Sequence, residues 1–256
     1  MSVFSFEIIK NNVSPLSAIF RILNKMERQT ATLYVVATPI GNLSDISERA
    51  LQTLRDCDIV ACEDTRLTGS LLRHFGISKE MFVNEDSRER AVAPILLEKL
   101  KSGFNVALVS DAGTPCVSDP GFRIIRACRA EGIKVVPVPG PCAFAAALSA
   151  SGLPSDSFLF AGFLPAKTSA RRNFFEKHAD FGHTLIFYES PYRILKFIDD
   201  ALDVFGPDRV VCIAKEISKI HERFFVGKLS DVSDEIKKSS TKGEFVVLVA
   251  PKGFVF

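Results

Sequence analysis

The chain has no tryptophan, only four histidines and six cysteines, and the cysteines (Cys57, Cys62, Cys116, Cys128, Cys142 and Cys212) are scattered with no C-x-x-C pair. That scarcity argues against a structural zinc site and against a secreted cystine framework. Charge of one sign is also lacking: 32 Lys and Arg face 30 Asp and Glu, a formal net charge of +2. With no long basic arm, any polyanion has to be met by a local patch. Apolar runs are broken by charges well short of the roughly 18 residues of a membrane span. The first residues do not read as a basic start followed by an apolar run and cleavage signal. These absences point to a reducing, cytoplasmic setting without a membrane. Glycine-rich fingerprints are missing as well: there is neither G-x-G-x-x-G nor G-x-x-x-x-G-K-[ST], which argues against nicotinamide hydride transfer and P-loop hydrolysis.

What the 256 residues do contain is 47% hydrophobic side chains, ample for one large core or two modest ones. From Leu33 onward the pattern is strand, turn, helix. Short β-rich runs at Leu33 to Ala37, Asp58 to Cys62, Phe104 to Ser110 and Ile133 to Val138 alternate with helical periodicity at Thr65 to Phe75, Arg88 to Lys101 and Cys142 to Ser149. Asp45, three residues before Glu48, has capping-box spacing, and Asp119 with Pro120 reads as an N-cap and first-turn proline. Such alternation predicts helices covering a mainly parallel sheet. The cluster Ser149-Ala-Ser-Gly-Leu-Pro154 marks a domain join. Strands near 157–161, 183–188, 209–215, 222–227 and 244–249 then suggest a mixed sheet with an antiparallel hairpin. The expected organisation is α/β throughout: an N-terminal domain over 33–149 and a C-terminal domain over 150–256. Residues 1–32 form an extension outside the dense pattern, with Ser2 to Phe6 strand-like and Ala18 to Met26 helical. Met26 offers an alternative start.

Polar loops follow the strands, where an open parallel sheet binds ligands. Ser110-Asp-Ala-Gly-Thr-Pro115 follows a buried strand, and its small residues leave room for main-chain contact with a small molecule; the bland alternative is a turn capped by Asp111. Glu63-Asp-Thr-Arg66 places two carboxylates and a guanidinium in four residues, suited to ordering a cleft or to plain ion pairing. Lys167, Arg171 and Arg172 form either a phosphate-binding patch or a solvated helix face, with Phe163 placed to pack beneath it or stack on a base. Lys215-Glu216 and Lys242-Gly-Glu244 flank the late strands, as cleft residues or as surface pairs.

Nine ordered motifs carry a resemblance. They are Leu33-Tyr-Val-Val-Ala-Thr-Pro-Ile-Gly-Asn-Leu-Ser-Asp-Ile-Ser-Glu-Arg-Ala50, Ala61-Cys-Glu-Asp-Thr-Arg66, Ser110 to Pro115, Ser118-Asp-Pro-Gly121, Val138-Pro-Gly-Pro141, Leu153-Pro-Ser-Asp156, Gly162-Phe-Leu-Pro-Ala-Lys167, Phe187-Tyr-Glu-Ser-Pro191 and Lys242-Gly-Glu244. From about Leu33 to Ala250 the chain resembles the bacterial 16S rRNA cytidine-2′-O-methyltransferases of the tetrapyrrole-methylase-like superfamily. The resemblance implies a two-domain fold, a homodimer, S-adenosylmethionine in the cleft between domains, and transfer to a cytidine ribose in the decoding region of 16S rRNA, with no metal. It places Pro39, Asp111, Ala112, Gly113, Val117, Cys142 and segments near Phe187 and Ala214 around the cofactor. Glu63, Asp64, Glu189 and Lys167 become candidates to assist the hydroxyl, and Arg66, Lys167, Arg171 and Arg172 candidates for RNA. Two departures stand out: Asp86 and Ser87 where relatives often carry a His-Asn pair, and Tyr192 where they often carry His. Rival readings are a methylase of a tetrapyrrole or other small acceptor, and a non-catalytic RNA-binding assembly factor.

Overall fold

A computed structural model describes residues 31–256; the strand and helix expected within the first 30 lie outside the described residues. The chain divides into two compact units. The first holds β1 (Thr32–Val36), α1 (Glu48–Asp56), β2 (Ile59–Cys62), α2 (Thr65–His74), β3 (Glu80–Val83), α3 (Glu89–Lys101), β4 (Val106–Leu108), α4 (Phe122–Ala130) and β5 (Lys134–Val138). Its five strands pair in the order β3-β2-β4-β1-β5 and run parallel throughout. Burial follows that order. Ile59-Val-Ala-Cys62 and Val106-Ala-Leu108 are fully buried inner strands, so they read as continuous apolar runs, whereas the edge strand β3 is largely half-exposed.

The second unit holds α5 (Ala143–Ser151), β6 (Phe158–Phe163), α6 (Thr168–His178), β7 (Thr184–Glu189), α7 (Ile194–Phe205), β8 (Val210–Lys215), β9 (Arg223–Lys228), α8 (Leu229–Lys238) and β10 (Phe245–Val249). Strand order is β6-β7-β10-β8-β9, with β6 and β7 parallel and the remaining pairs antiparallel, which is the expected mixed sheet with its β8–β9 hairpin. Alternation along each strand sends side chains to two cores. Leu185, Phe187, Val211, Ile213 and Val247 pack with Phe175, Phe197, Ile198 and Val232 of the helices α6, α7 and α8. Ile186, Cys212, Ala214, Val246 and Leu248 pack with Ala147 and Leu148 of α5. Thus α5, assigned from sequence to the first domain, covers the second sheet; its small apolar residues suit that close packing. The segments Ala37–Ser47 and Ala112–Ser118 also belong to the second unit.

Two expected caps are replaced. Asp45 closes a short 3-10 turn, Leu43–Asp45, and its carboxylate takes the Ser218 hydroxyl in place of capping α1. Gly121, not Asp119, is the N-cap of α4, and the cap is supplied remotely. Buried Glu89 accepts from Gly121 N at 3.0 Å and Arg123 N at 2.7 Å, placing negative charge at the positive end of α4. Among the described residues, no helix is long and apolar enough to cross a membrane.

One buried ion pair anchors the second unit. Arg171, 1% exposed, is held by Asp200 through Nε at 2.8 Å and through Nη2, while Asp200 also accepts Arg172 Nε at 2.8 Å. Removing the carboxylate leaves a guanidinium buried without its counter-charge. Asp200→Ala is expected to cost about 3–5 kcal/mol, and the double substitution Arg171→Met with Asp200→Leu to recover much of it, both read from urea denaturation midpoints.

Candidate functional site

In the second unit, three segments that follow strands β1, β4 and β5 in the chain meet. Thr38 and Gly113 exchange both backbone hydrogen bonds, Thr38 N donating to Gly113 O at 2.8 Å and Gly113 N to Thr38 O at 3.1 Å. The Thr114 hydroxyl donates to Pro141 O at 3.0 Å. Gly113 sits at φ +85°, and a Cβ there would lie 3.2 Å from Ile40 Cγ2 and 3.6 Å from Pro141 O. A side chain would be strained there by the left-handed backbone, and its Cβ would press on the Ile40 methyl. Pro39 is buried in this junction, Ala112 is exposed, and Val117 and Cys142 are half-buried. Cys142 is the N-cap of α5, whose Phe144 N donates to the Tyr188 hydroxyl at 3.2 Å. The result is a cradle of main-chain groups, small side chains and apolar walls, the donor set that a small cofactor with polar ends and an apolar waist requires.

The candidates on β7 and β8 divide by parity. Ala214 lies on the α5 face, as does Tyr188, but the Phe187 ring points the other way, into the core with Phe174, Phe175 and Phe197. Phe187 as a cofactor-contacting side chain is therefore corrected: strand alternation sends Phe187 and Tyr188 to opposite faces, and the one on the cradle's sheet face is Tyr188.

The first unit carries the carboxylates. Glu63, Asp64, Thr65, Arg66, Val83, Glu85, Arg88 and Asp111 line a cavity of about 380 Å³. Adjacent Glu63 and Asp64 have opposite fates. Asp64 is the N-cap of α2, its Oδ1 accepting from Arg66 N at 2.7 Å, and its oxygens also grip the Arg66 side chain, with Oδ2 to Nη2 at 2.6 Å. Those bonds hold its pKa down to about 2. Glu63 is raised, first by burial and then by the negative charges of Asp111, Asp119, Asp86 and Glu85. Asp111, whose Oδ1 accepts from Asp64 N at 3.0 Å, is raised chiefly by burial. Asp119 is pushed up to about 6 by burial, against a hydrogen bond from Ser110.

The remaining candidates fare differently. The Glu189 side chain is fully buried beside Arg193, at 3.3 Å, and accepts from Ser190 N at 2.7 Å; burial raises its pKa, but nothing outside the core reaches it, so its assignment as a group touching substrate is corrected. Lys167 is exposed and precedes α6 without a capping bond. Arg171 leaves the basic patch altogether, being enclosed with Asp200, and Arg172 is bound to Asp200 and Asp203. Both were read as surface cations because their acidic partners lie some thirty positions away in sequence, in α7. Arg66, with its side chain 90% exposed, keeps an outward face while fixed by Asp64. Among the described residues, no group of three His, Cys, Asp or Glu is arranged to hold a metal ion.

The chain belongs to the tetrapyrrole (corrin/porphyrin) methylase family, whose model matches residues 32–233. The described architecture agrees: the chain superimposes on cobalt precorrin-4 methyltransferase with a TM-score of 0.63 at 15% identity, covering 86% of this chain and 94% of that one. On diphthine synthase the TM-score is 0.66 at 16% identity, with coverage of 86% and 90%. Within the family it is far more similar to one group. It is 52% identical over 219 residues to ribosomal RNA small subunit methyltransferase I of Vibrio cholerae, covering 85% of this chain and 76% of the relative. To the protein of the same name in Haemophilus influenzae it is 49% identical over 225 residues, covering 87% and 80%.

The Asp119 pKa has a consequence for stability. Because the folded value, about 6, lies above the ordinary 3.8, the folded state holds this proton more tightly; the stabilisation is full below pH 3.8 and lost as pH rises through 6. Urea denaturation of wild type and Asp119→Asn at pH 7.5 and pH 5 is expected to show the difference shifting in favour of the wild type at the lower pH. A difference independent of pH would mean an unshifted carboxyl.

Proposed function

We propose that the chain transfers a methyl group from S-adenosylmethionine to the ribose 2′-oxygen of a cytidine in 16S rRNA. The observation that carries this reading is the near-full-length similarity to small-subunit rRNA methyltransferases, joined to a cradle whose Gly113 holds a left-handed backbone with Ile40 packed close against it. S-adenosylmethionine supplies an electrophilic methyl group on a positively charged sulfur. Pro39, Ala112, Gly113, Val117, Cys142 and Ala214, with Asp111 at the edge of the loop, are the residues we assign to hold it; main-chain carbonyls and apolar walls suit a sulfonium and exclude competing water.

A ribose hydroxyl is a weak nucleophile and benefits from a base near its proton. Of the four candidates, Asp64 is committed to its cap and to Arg66, Glu189 is enclosed, and Lys167, exposed, is better suited as a phosphate contact. Glu63 remains: half-buried, on the cavity wall and raised toward the range where a carboxylate accepts a proton usefully. Arg66 and Lys167 are the cations we assign to the RNA backbone, where they position without reading sequence. The near-neutral charge favours docking on an assembled small subunit over tight binding to loose RNA.

The test is transfer of a labelled methyl group to small subunits lacking the modification, followed by nucleotide mapping. The expected product is a 2′-O-methylated cytidine; label on a base, or on a tetrapyrrole and never on ribose, overturns the reading. Glu63→Gln is expected to lower kcat by about 10²-fold or more with cofactor affinity unchanged; a rate near wild type removes Glu63 as the base.

A further inference from the structure

The loop between β8 and β9 is more constrained than a hairpin connection requires. Two non-glycine residues, Glu216 at φ +53° and Ser218 at φ +68°, sit in the left-handed region. Such conformations cost free energy and persist where surrounding contacts enforce them. The contacts are specific. Glu216 N donates to Glu244 O at 2.9 Å and Glu244 N to Glu216 Oε1 at 2.9 Å, locking the loop to the start of β10. Ser218 N donates to Glu222 Oε2 at 2.7 Å. Lys219 Nζ bridges the two carboxylates, 2.8 Å from Glu216 Oε1 and 2.9 Å from Glu244 Oε2.

This turn grips the segment Ala37–Ser47 of the same unit at two points. The Lys219 stem lies so close over Gly41 that a Cβ there would come within 2.4 Å of Lys219 Cγ. Four residues farther along that segment, the Asp45 carboxylate takes the Ser218 hydroxyl. A second glycine contact completes the arrangement: a Cβ on Gly243 would fall 2.6 Å from Glu216 Cγ, so Glu216 can turn toward Lys219 only because position 243 has no side chain. None of these residues belongs to the cradle, yet Pro39 and Thr38, which do, lie between this grip and β1.

We propose that Lys219, clamped between Glu216 and Glu244, is a positioning residue that holds the Pro39–Gly41 turn in its cofactor-receiving conformation. The proposal rests on the functional reading given above. Burial works against the Lys219 charge, but its two carboxylate partners outweigh it and hold the pKa above the usual lysine value; burial likewise works against the Glu216 charge, but Lys219 and the Glu244 amide hold its pKa below the usual value. The Lys219–Glu244 pair, exposed at its carboxylate end, contributes little to global stability, whereas misplacing a binding turn by a fraction of an ångström is felt in affinity and alignment.

The experiment measures S-adenosylmethionine binding at equilibrium, together with steady-state methyl transfer to unmodified small subunits, for wild type, Lys219→Met, Lys219→Arg and Asp45→Asn. Lys219→Met keeps the stem over Gly41 and removes the charge. It is expected to raise the cofactor Kd and KM about tenfold while the melting temperature changes little. Lys219→Arg should restore most of the loss, and Asp45→Asn, which weakens the second grip, should shift KM in the same direction by a smaller factor. Unchanged cofactor affinity in both Lys219→Met and Asp45→Asn, with the wild type active, overturns the clamp alone. So does a loss that parallels unfolding and that arginine fails to rescue. A wild type that binds no S-adenosylmethionine overturns the clamp and the functional reading together.

Discussion

The cradle in the second unit depends on the close approach of two backbones at Gly113. The paired bonds between Thr38 and Gly113 bring two backbones to hydrogen-bonding distance, while the Ile40 side chain packs close over the glycine and the Pro141 carbonyl lies at van der Waals distance. Each segment is short of secondary structure of its own, so its conformation is set by the others: Thr114 ties the second segment to the third, and Lys219 and Ser218 tie down the first. A binding surface made of backbone needs such mutual support, because main-chain groups have no rotamers with which to adapt and must be placed correctly by the loops themselves.

The first unit solves a different problem, how to give neighbouring carboxylates unlike chemistry. Glu63 and Asp64 are consecutive, at the end of the same strand, and their acidities move in opposite directions. The helix that starts at Thr65 is the cause. The Arg66 amide in its first turn takes Asp64 as a cap, and the Arg66 side chain curls back onto the same carboxylate. Glu63, one residue earlier, is left with partial burial near Asp111 and Asp119 and, among the described residues, without an ion pair. Environments that push paired acids apart are how a site separates a permanent anion from a group that can take a proton.

Much of this was readable in the sequence because local rules and the fold agree. The inner parallel strands are uninterrupted apolar runs since both faces are covered, and the strand-end loops stand out since small and polar residues follow those runs directly. What was not readable depends on contacts between distant residues. Asp45 and Asp119 satisfy the spacing rules for caps, yet the Ser218 hydroxyl engages the first carboxylate and the remote Glu89 takes over the part of the second. Phe187 sits inside the right motif on the wrong face, a distinction that needs the register of β7 against its neighbours. Lys219 carried no signal, because its importance lies in two glycines, Gly41 and Gly243, that are far from it and from each other in the chain.

The cations show why a formal charge says little about how this chain meets a polyanion. Arg171 and Arg172 sit one residue apart in a helix that looks basic, but Asp200 neutralises the first inside the core and holds the second at its rim. Arg66 is likewise paired, though its partner leaves the guanidinium in water. A cation fixed by a carboxylate has already lost its rotamer freedom, so a phosphate that reaches it meets an oriented donor set with less entropy to lose. The cost is attraction at a distance, since each such pair is nearly neutral beyond a Debye length. A protein built this way gains little from long-range steering, and its discrimination has to come from the shape of the surface it docks on.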